Sequence, residues 1–329
     1  MKYRILGKTG LKISEISLGT WQVGGRWGDK FSFENAEKIL ASAVDNGVNF
    51  IDTADVYGDG GKESERAVGK FVRSRSEQLY VATKCGRQLN PHVNEAYNVK
   101  TLRKFVEDSL QNTGLECLDL IQLHCPPTEV YYRPEIFELF DKLKNEGKIA
   151  NMGVSVEKVE EALKAIEYEN VTTVQIIFNM FRQRPAELFF QQAKKKNIGI
   201  LARVPLASGL LTGKFAKDTK FSAGDHRNFN RDGAAFDKGE TFSGIDYETG
   251  LDAVEELKSL FPDKELSLVA LKWILQFDAV SCVIPGASKV QQVESNLKVL
   301  DFPELTELQM NKIKEIYDSR IKKLVHHLW

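Results

Sequence analysis

The sequence predicts a closed (β/α)8 barrel. Three observations carry that reading: eight short, β-branched apolar runs, a helix-period segment after most of them, and runs that are continuous rather than alternating. A continuous run suits a strand covered on both faces, as in a parallel sheet, because neither side is left to show polar residues to water. The alternative is a doubly wound open sheet. That fold places a G-x-G-x-x-G phosphate loop after its first strand, and here the first run leads into LGTWQVGG, which lacks the pattern.

In chain order, residues 3–14 (YRILGKTGLKIS) predict a β-hairpin turning at Lys8–Gly10, a plug for the barrel floor. The strands are expected at 16–19, 48–52, 79–83, 118–123, 150–154, 173–177, 198–202 and 280–284. Helix-period segments lie at 35–47, 64–74, 98–114, 134–148, 156–170 and 185–197. Gly47 reads as a helix stop, and Asn98, Ser155 and Arg184-Pro185 read as helix starts. Residues 205–250 form a long stretch rich in Gly, Asp, Asn and Phe, a length that inside a compact domain marks a functional or mobile loop. A terminal helix is expected over 306–320. No low-complexity linker divides the chain, so residues 1–329 are read as one domain, and a barrel accommodates that length.

Composition narrows the function. With 45 basic and 46 acidic residues the net charge is −1, which gives no field for a polyanion or a membrane surface and favours a small ligand. The four cysteines, Cys85, Cys117, Cys125 and Cys282, are widely spaced, so reduced thiols in a cytoplasmic protein are expected, with no metal site. The paired His326-His327 lacks further ligands in sequence, and the Lys194–Lys196 run reads as a solvated helix end. No apolar leader or span-length stretch is visible, and nothing marks an obligate interface, so a monomer or weak homo-oligomer is expected.

Catalytic side chains of a barrel sit at the C-terminal ends of its strands. Asp52 and Tyr57 follow the second expected strand, Lys84 the third and His124 the fourth. Their chemistry is complementary. A phenol is a poor acid near neutral pH, and a neighbouring ammonium such as Lys84 lowers its pKa. Asp52 balances the ammonium, and His124 orients a substrate oxygen. The set makes a general acid aimed at a carbonyl that becomes an alkoxide, and hydride for that reaction comes from a cofactor.

The stretch N-x-x-D-T-A-x-x-Y-G at Asn49–Gly58, the lysine of ATK and the histidine of LH resemble the aldo-keto reductase family. The likeness runs from LGKTGLKIS through GVS, VQIIFNMF and LASGLLTGK to IPGAS, nearly the whole chain. It implies an NADP(H)-dependent reductase of small carbonyl substrates in which Tyr57 donates the proton, Asp52 and Lys84 tune it, and His124 positions the carbonyl. It further implies Gly19, Thr20 and Trp21 beside the cofactor, Ser155 and Gln175 on the nicotinamide carboxamide, Arg203 and Val204 next to that ring, and Leu206, Ser208, Gly209 and Lys214 along the diphosphate. Gly286, Ser288, Lys289, Gln292 and Asn296 would hold the adenosine end. Lys289 is the candidate for a ribose 2′-phosphate and favours NADP(H) over NAD(H).

Two positions depart from the family pattern. Val156 stands where an asparagine is usual, and Arg203 stands where an aromatic ring often stacks on the nicotinamide. Trp21, Trp27, Phe31, Pro126, Pro127, Tyr131 and Tyr132 are candidate pocket walls, and Arg227 is a candidate contact to an oxygenated substrate. Two other functions stay open: the resemblance also admits a cofactor-binding regulatory subunit with little turnover, and the same fold admits a lyase or isomerase using Lys84 as a Schiff-base amine.

Overall fold

The computed structural model describes residues 1–25, 30–58 and 60–329. Strands β1 (Tyr3–Ile5) and β2 (Lys12–Ser14) pair antiparallel as the expected hairpin. Its turn begins one residue earlier than the sequence placed it, as a 3-10 turn over Gly7–Thr9 closed by left-handed Gly10. Gly7 is left-handed as well (φ 49°), and a Cβ there would stand 2.2 Å from the backbone nitrogen of Gly199. Only glycine lets the hairpin approach the barrel floor this closely, where Lys8 N donates to Asn197 O at 2.7 Å.

Eight parallel strands follow: β3 (Leu18–Gly19), β4 (Phe50–Asp52), β5 (Tyr80–Cys85), β6 (Leu120–His124), β7 (Met152–Ser155), β8 (Val171–Ile177), β9 (Gly199–Arg203) and β10 (Val280–Ile284). Each pairs with the next in sequence, and parallel bridges Ile16–Val283 and Gly19–Gly286 join the first to the last and close the barrel. All eight expected strands are present, with ends displaced by a few residues.

The helices are α1 (Phe33–Asp45), α2 (Glu63–Arg73), α3 (Val99–Thr113), α4 (Pro134–Asn145), α5 (Val159–Ala165), α6 (Phe189–Lys195), α7 (His226–Phe229), α8 (Tyr247–Leu260), α9 (Leu266–Leu275), α10 (Val290–Leu297), α11 (Glu307–Ile316) and α12 (Lys322–Val325). Asn98 caps α3 as expected, its side chain accepting from Thr101 N, and Pro134 opens α4. Ser155 does not start a helix. It ends β7, and the next helix begins at Val159 behind a capping box in which Glu161 accepts from Lys158 N. Arg184-Pro185 opens a 3-10 turn rather than α6 itself. The stretch 205–250 is not structureless: it holds 3-10 turns and α7, and its last residues already belong to α8. The sequence reading had not singled out α9. All its residues but Ser267 are buried, so no polar face marks its helical period.

Strand alternation sorts the barrel interior into layers. Low in the barrel, Phe50, Ala82, Leu120, Leu201 and Cys282 pack with Leu6 and Ile13 of the hairpin as one apolar cluster. Two residues further along β4, β5, β6 and β9 the same inward positions hold Asp52, Lys84, Gln122 and Arg203. A second core, between sheet and helices, carries most of the remaining apolar burial.

Replacing Gly7 with alanine adds both a left-handed penalty and a backbone clash. The expected outcome is a loss of a few kcal/mol of stability, read by urea denaturation. An unchanged midpoint would show that the hairpin does not depend on this contact.

Candidate active site

The upper layer is polar and enclosed. Lys84 is fully buried, and its Nζ donates to Asp52 Oδ2 at 2.6 Å, to Thr53 O at 2.9 Å and to the Tyr57 hydroxyl at 3.4 Å. Burial alone would push the Lys84 ammonium down, but the Asp52 carboxylate and the Tyr57 oxygen outweigh it and hold its pKa above the usual value. Gln175 Nε2 donates to the other Asp52 oxygen at 2.8 Å, and Gln122 Nε2 reaches it at 3.5 Å. The carboxylate is thereby fixed from three strands. Gln122 was not among the sequence candidates. Its signal was its place two residues before His124 on a strand, which puts both on the inner face.

Tyr57 is half-buried, and its ring meets that of His124 edge-on at 6.0 Å between centroids. The sequence reading expected the ammonium to lower the phenol pKa. The net shift is upward, because burial outweighs the nearby Lys84. His124 is held well below the usual histidine value by burial and by the cations Arg87, Lys84 and Arg203, so its imidazole is neutral. The four candidate residues from three strand ends therefore form one contiguous group.

Around them lies a charged layer that the sequence did not reveal. Arg203 Nη2 donates to Glu157 Oε2 at 2.8 Å and to Val156 O at 3.1 Å, and its Nη1 lies 3.6 Å from Glu240. Arg203, which the resemblance places next to the nicotinamide, is thus already held by the carboxyl groups of Glu157 and Glu240. Potential ligand atoms of Cys125, Glu157 and Glu240 lie within 4.8 Å of one another. With Arg203 and Arg87 facing these carboxylates, the cluster has no charge deficit for a cation to fill. Burial pushes the Cys125 thiol far up, which favours the neutral thiol over the thiolate.

The residues expected along a dinucleotide divide into two groups. Ser155 and Gln175 face each other in register on β7 and β8, and with Gln175 Nε2 on Asp52, its Oε1 is the atom left to accept from a carboxamide. Gly19 pairs in register with Asp52, and the Thr20 hydroxyl donates to Asp52 O at 3.0 Å. Val204, Ala207, Ser208 and Gly209 all have positive φ, a sharply coiled segment directly after β9. The Ser208 hydroxyl is occupied there, donating to Glu240 O and accepting from Phe242 N. Half-buried Leu206 packs against the core. Lys214 and Lys289 are exposed with no ion-pair partner among the described residues, and Lys289 sits at the start of α10. Gly286 is exposed, Gln292 accepts from Ser288 N at 2.7 Å, and Asn296 is a buried residue of α10. Two uncommitted cations flanking a coiled backbone segment and a helix start suit a ligand with phosphates.

Arg227, expected on the substrate side, is placed elsewhere. Its Nε and Nη2 both donate to Asp225, its guanidinium lies over Phe221, and its Nη1 is 3.6 Å from where a Cβ of Gly209 would stand. It borders the coiled 204–209 segment. Trp21 meets His226 at 4.9 Å and Phe236 at 6.3 Å between ring centroids. Phe31 is half-buried beside Gly24 and Phe33. Tyr131 is fully buried behind β7, its hydroxyl donating to Ser155 O, and Tyr132 is exposed, so neither forms a mouth wall. Trp27 lies outside the described residues.

Asp55, in the same D-T-A-x-x-Y stretch, was also missed. It is 2% exposed and neither carboxyl oxygen has a hydrogen-bond partner. Burial, reinforced by Glu65, pushes its pKa up to about 8 from 3.8. The folded chain therefore retains a proton that the unfolded chain has lost, and stability falls as pH climbs from about 4 to about 8. Asp55→Asn is expected to raise Tm by at least about 2 °C at pH 8 and by much less at pH 4, in paired thermal melts. Equal effects at both pH values would contradict the buried-acid account.

A family model described as the aldo/keto reductase family matches residues 15–318. Aldo-keto reductase YhdN of Bacillus subtilis is 32% identical over 306 residues, covering 90% of this chain and 87% of its own. L-glyceraldehyde 3-phosphate reductase of Escherichia coli is 26% identical, with 92% and 88% covered. The solved glycerol dehydrogenase AKR11B4 of Gluconobacter oxydans superposes with a TM-score of 0.78 at 28% identity, over 97% of this chain and 96% of that one. No helix among the described residues is long and apolar enough to cross a membrane. With the family model spanning most of the barrel and oxidoreductases among the relatives, this chain belongs to the aldo/keto reductase family.

Proposed function

We propose that the protein reduces a small aldehyde or ketone to the alcohol, reversibly, with NADP(H) as the redox partner. The observation that carries this reading is the Asp52–Lys84–Tyr57 chain, 2.6 Å and 3.4 Å in its two links, beside a neutral His124. Bound nicotinamide supplies or accepts the hydride. Tyr57 is protonated at neutral pH because its pKa is raised, so its hydroxyl donates a proton to the substrate oxygen as negative charge builds there. Lys84 donates to the same hydroxyl and stabilises the phenolate left behind, and Asp52 keeps the ammonium charged. Neutral His124 offers one N–H to the carbonyl oxygen and fixes its approach.

Ser155 and Gln175 are assigned to the carboxamide of the cofactor. Leu206, Ser208, Gly209, Lys214 and Arg227 are assigned to its diphosphate, and Ser288, Lys289, Gln292 and Asn296 to its adenosine end. Gly19, Thr20, Trp21, Val204 and Gly286 complete the lining. The unpaired Lys289 supports a 2′-phosphate and hence NADP(H). The names of two relatives, a glyceraldehyde 3-phosphate reductase and a glycerol dehydrogenase, support a small oxygenated substrate.

Tyr57→Phe should lower kcat by about 10²–10⁴-fold while NADPH binding, followed by fluorescence, is kept. Retained turnover would remove Tyr57 from the reaction. Tight NADPH binding with no turnover by the unaltered protein on any carbonyl would favour the regulatory reading, and borohydride trapping without cofactor would favour a Lys84 Schiff base. The pH profile follows from the directions of the shifts. Because Tyr57 is raised and His124 is lowered, reduction should hold steady from pH 6 to 8 and fall only at alkaline pH, where the phenol loses its proton. A loss between pH 7 and 6 would show that His124 takes up a proton there.

A further inference from the structure

Arg87 lies three residues beyond Lys84, at the exit of β5, with its side chain 20% exposed. A guanidinium offers five N–H donors, and one this enclosed normally has them satisfied. Arg87 makes no side-chain hydrogen bond to any described residue. Its contacts are an ion pair to Glu240 Oε1 at 3.2 Å, a longer one to Glu157 Oε1 at 3.8 Å, and the face of Phe236 at 5.9 Å. Both carboxylate oxygens that face it are themselves buried and without a hydrogen bond. Arg203 next to it differs, being bonded closely to Glu157 and Val156. Arg203 Nε is also buried without a partner, but Arg87 differs in that its whole guanidinium lacks a hydrogen bond among the described residues.

The position is close to the chemistry. Among the charges that hold His124 neutral, Arg87 is the strongest. The two acids opposite differ in kind. Glu157 sits at the end of the barrel wall, where burial and the facing Glu240 push its carboxyl towards the neutral form. Glu240 stays ionised, held low by Arg87 and Arg203 against burial, and it belongs to the long segment between β9 and α8. That segment crosses the mouth, bringing His226 and Phe236 onto Trp21. The ionised partner of Arg87 is thus contributed by the covering segment and not by the barrel.

We propose that Arg87 is a specificity residue that binds an oxyanion carried by the carbonyl substrate, a carboxylate or a phosphate monoester, in place of its loose resting contact with Glu240. The inference rests on the carbonyl-reductase reading above. Its chemistry is the fork of parallel N–H groups that a guanidinium presents to two oxygens of one anion, a pairing about twice as strong as a neutral hydrogen bond. The resting ion pairs at 3.2 and 3.8 Å do not achieve that geometry, so an incoming anion gains what Glu240 leaves unused. Lysine at this position would keep the charge and lose the fork.

The test compares kcat/KM, with NADPH, for butanal, succinic semialdehyde and glyceraldehyde 3-phosphate in the unaltered protein, Arg87→Lys and Arg87→Met. The unaltered protein is expected to favour at least one anionic aldehyde over butanal by tenfold or more, and which one is favoured separates carboxylate from phosphate. Arg87→Met is expected to cut kcat/KM for that anionic substrate at least tenfold more than for butanal, mainly through KM, and Arg87→Lys should lie between. Succinate or inorganic phosphate should inhibit butanal reduction competitively in the unaltered protein, and at least tenfold more weakly in Arg87→Met. No preference in the unaltered protein, or equal losses on charged and neutral aldehydes, would overturn the proposal while leaving the reductase reading intact. If NADPH binds and none of the three aldehydes is reduced, the reductase reading itself fails. The inhibition arm, read against retained Tm, separates loss of recognition from loss of fold.

Discussion

An ammonium is enclosed inside the barrel, and the upper half of the interior is organised around keeping it charged. Lys84 has no access to solvent, so without Asp52 the cost of desolvation would drive it neutral. Asp52 in turn is anchored by Gln175 and Gln122, which fix the carboxylate so that Lys84 Nζ points to Tyr57. These contacts join β4, β5, β6 and β8, strands whose order is set by the barrel and by nothing local. Removing one partner would leave an uncompensated buried charge, so the geometry proposed for catalysis and the stability of the barrel share the same residues.

The division of the interior into an apolar floor and a polar mouth follows from strand alternation. Phe50 and Asp52, Ala82 and Lys84, Leu120 and Gln122, and Leu201 and Arg203 are each separated by one outward residue. The lower member of each pair packs on the hairpin plug, and the upper member faces the mouth. Starting from Arg203 in that layer, Glu157, Glu240 and Arg87 extend a second set of charges that joins β9, the exits of β5 and β7 and the covering segment. The lower ion pair holds the Tyr57 hydroxyl, and the upper network ties the cover to the rim.

Much of this was legible in the sequence. Continuous apolar runs marked all eight strands, because a strand covered on both faces leaves no polar side to blur its signal. Asp52, Tyr57, Lys84 and His124 could be grouped because each stands at or just beyond a strand end. Asn98 was legible as a cap, whereas Ser155 was misread, since the chain after β7 continues to Lys158 before turning into α5. Helix α9 lacked a polar face to reveal its period. The direction of the Tyr57 shift also depended on what sequence does not show: the charge of Lys84 was visible, and the extent of burial was not. Arg87, Glu157 and Glu240 stayed hidden for a further reason. They meet from three separate segments, and nothing in their spacing says that two guanidiniums face two carboxylates. Arg227 was visible but its pairing with Asp225 was not, because the fold of the 204–246 segment decides what it meets.

The most direct test of the account is isotopic. NADPH carrying deuterium at the transferable C4 position would be incubated with the protein and a small aldehyde, and the alcohol examined by mass spectrometry and NMR. The account predicts one deuterium on the former carbonyl carbon, formed in step with NADPH consumption. Alcohol that appears without that deuterium, or cofactor that stays bound and unconsumed beside every aldehyde offered, would contradict it.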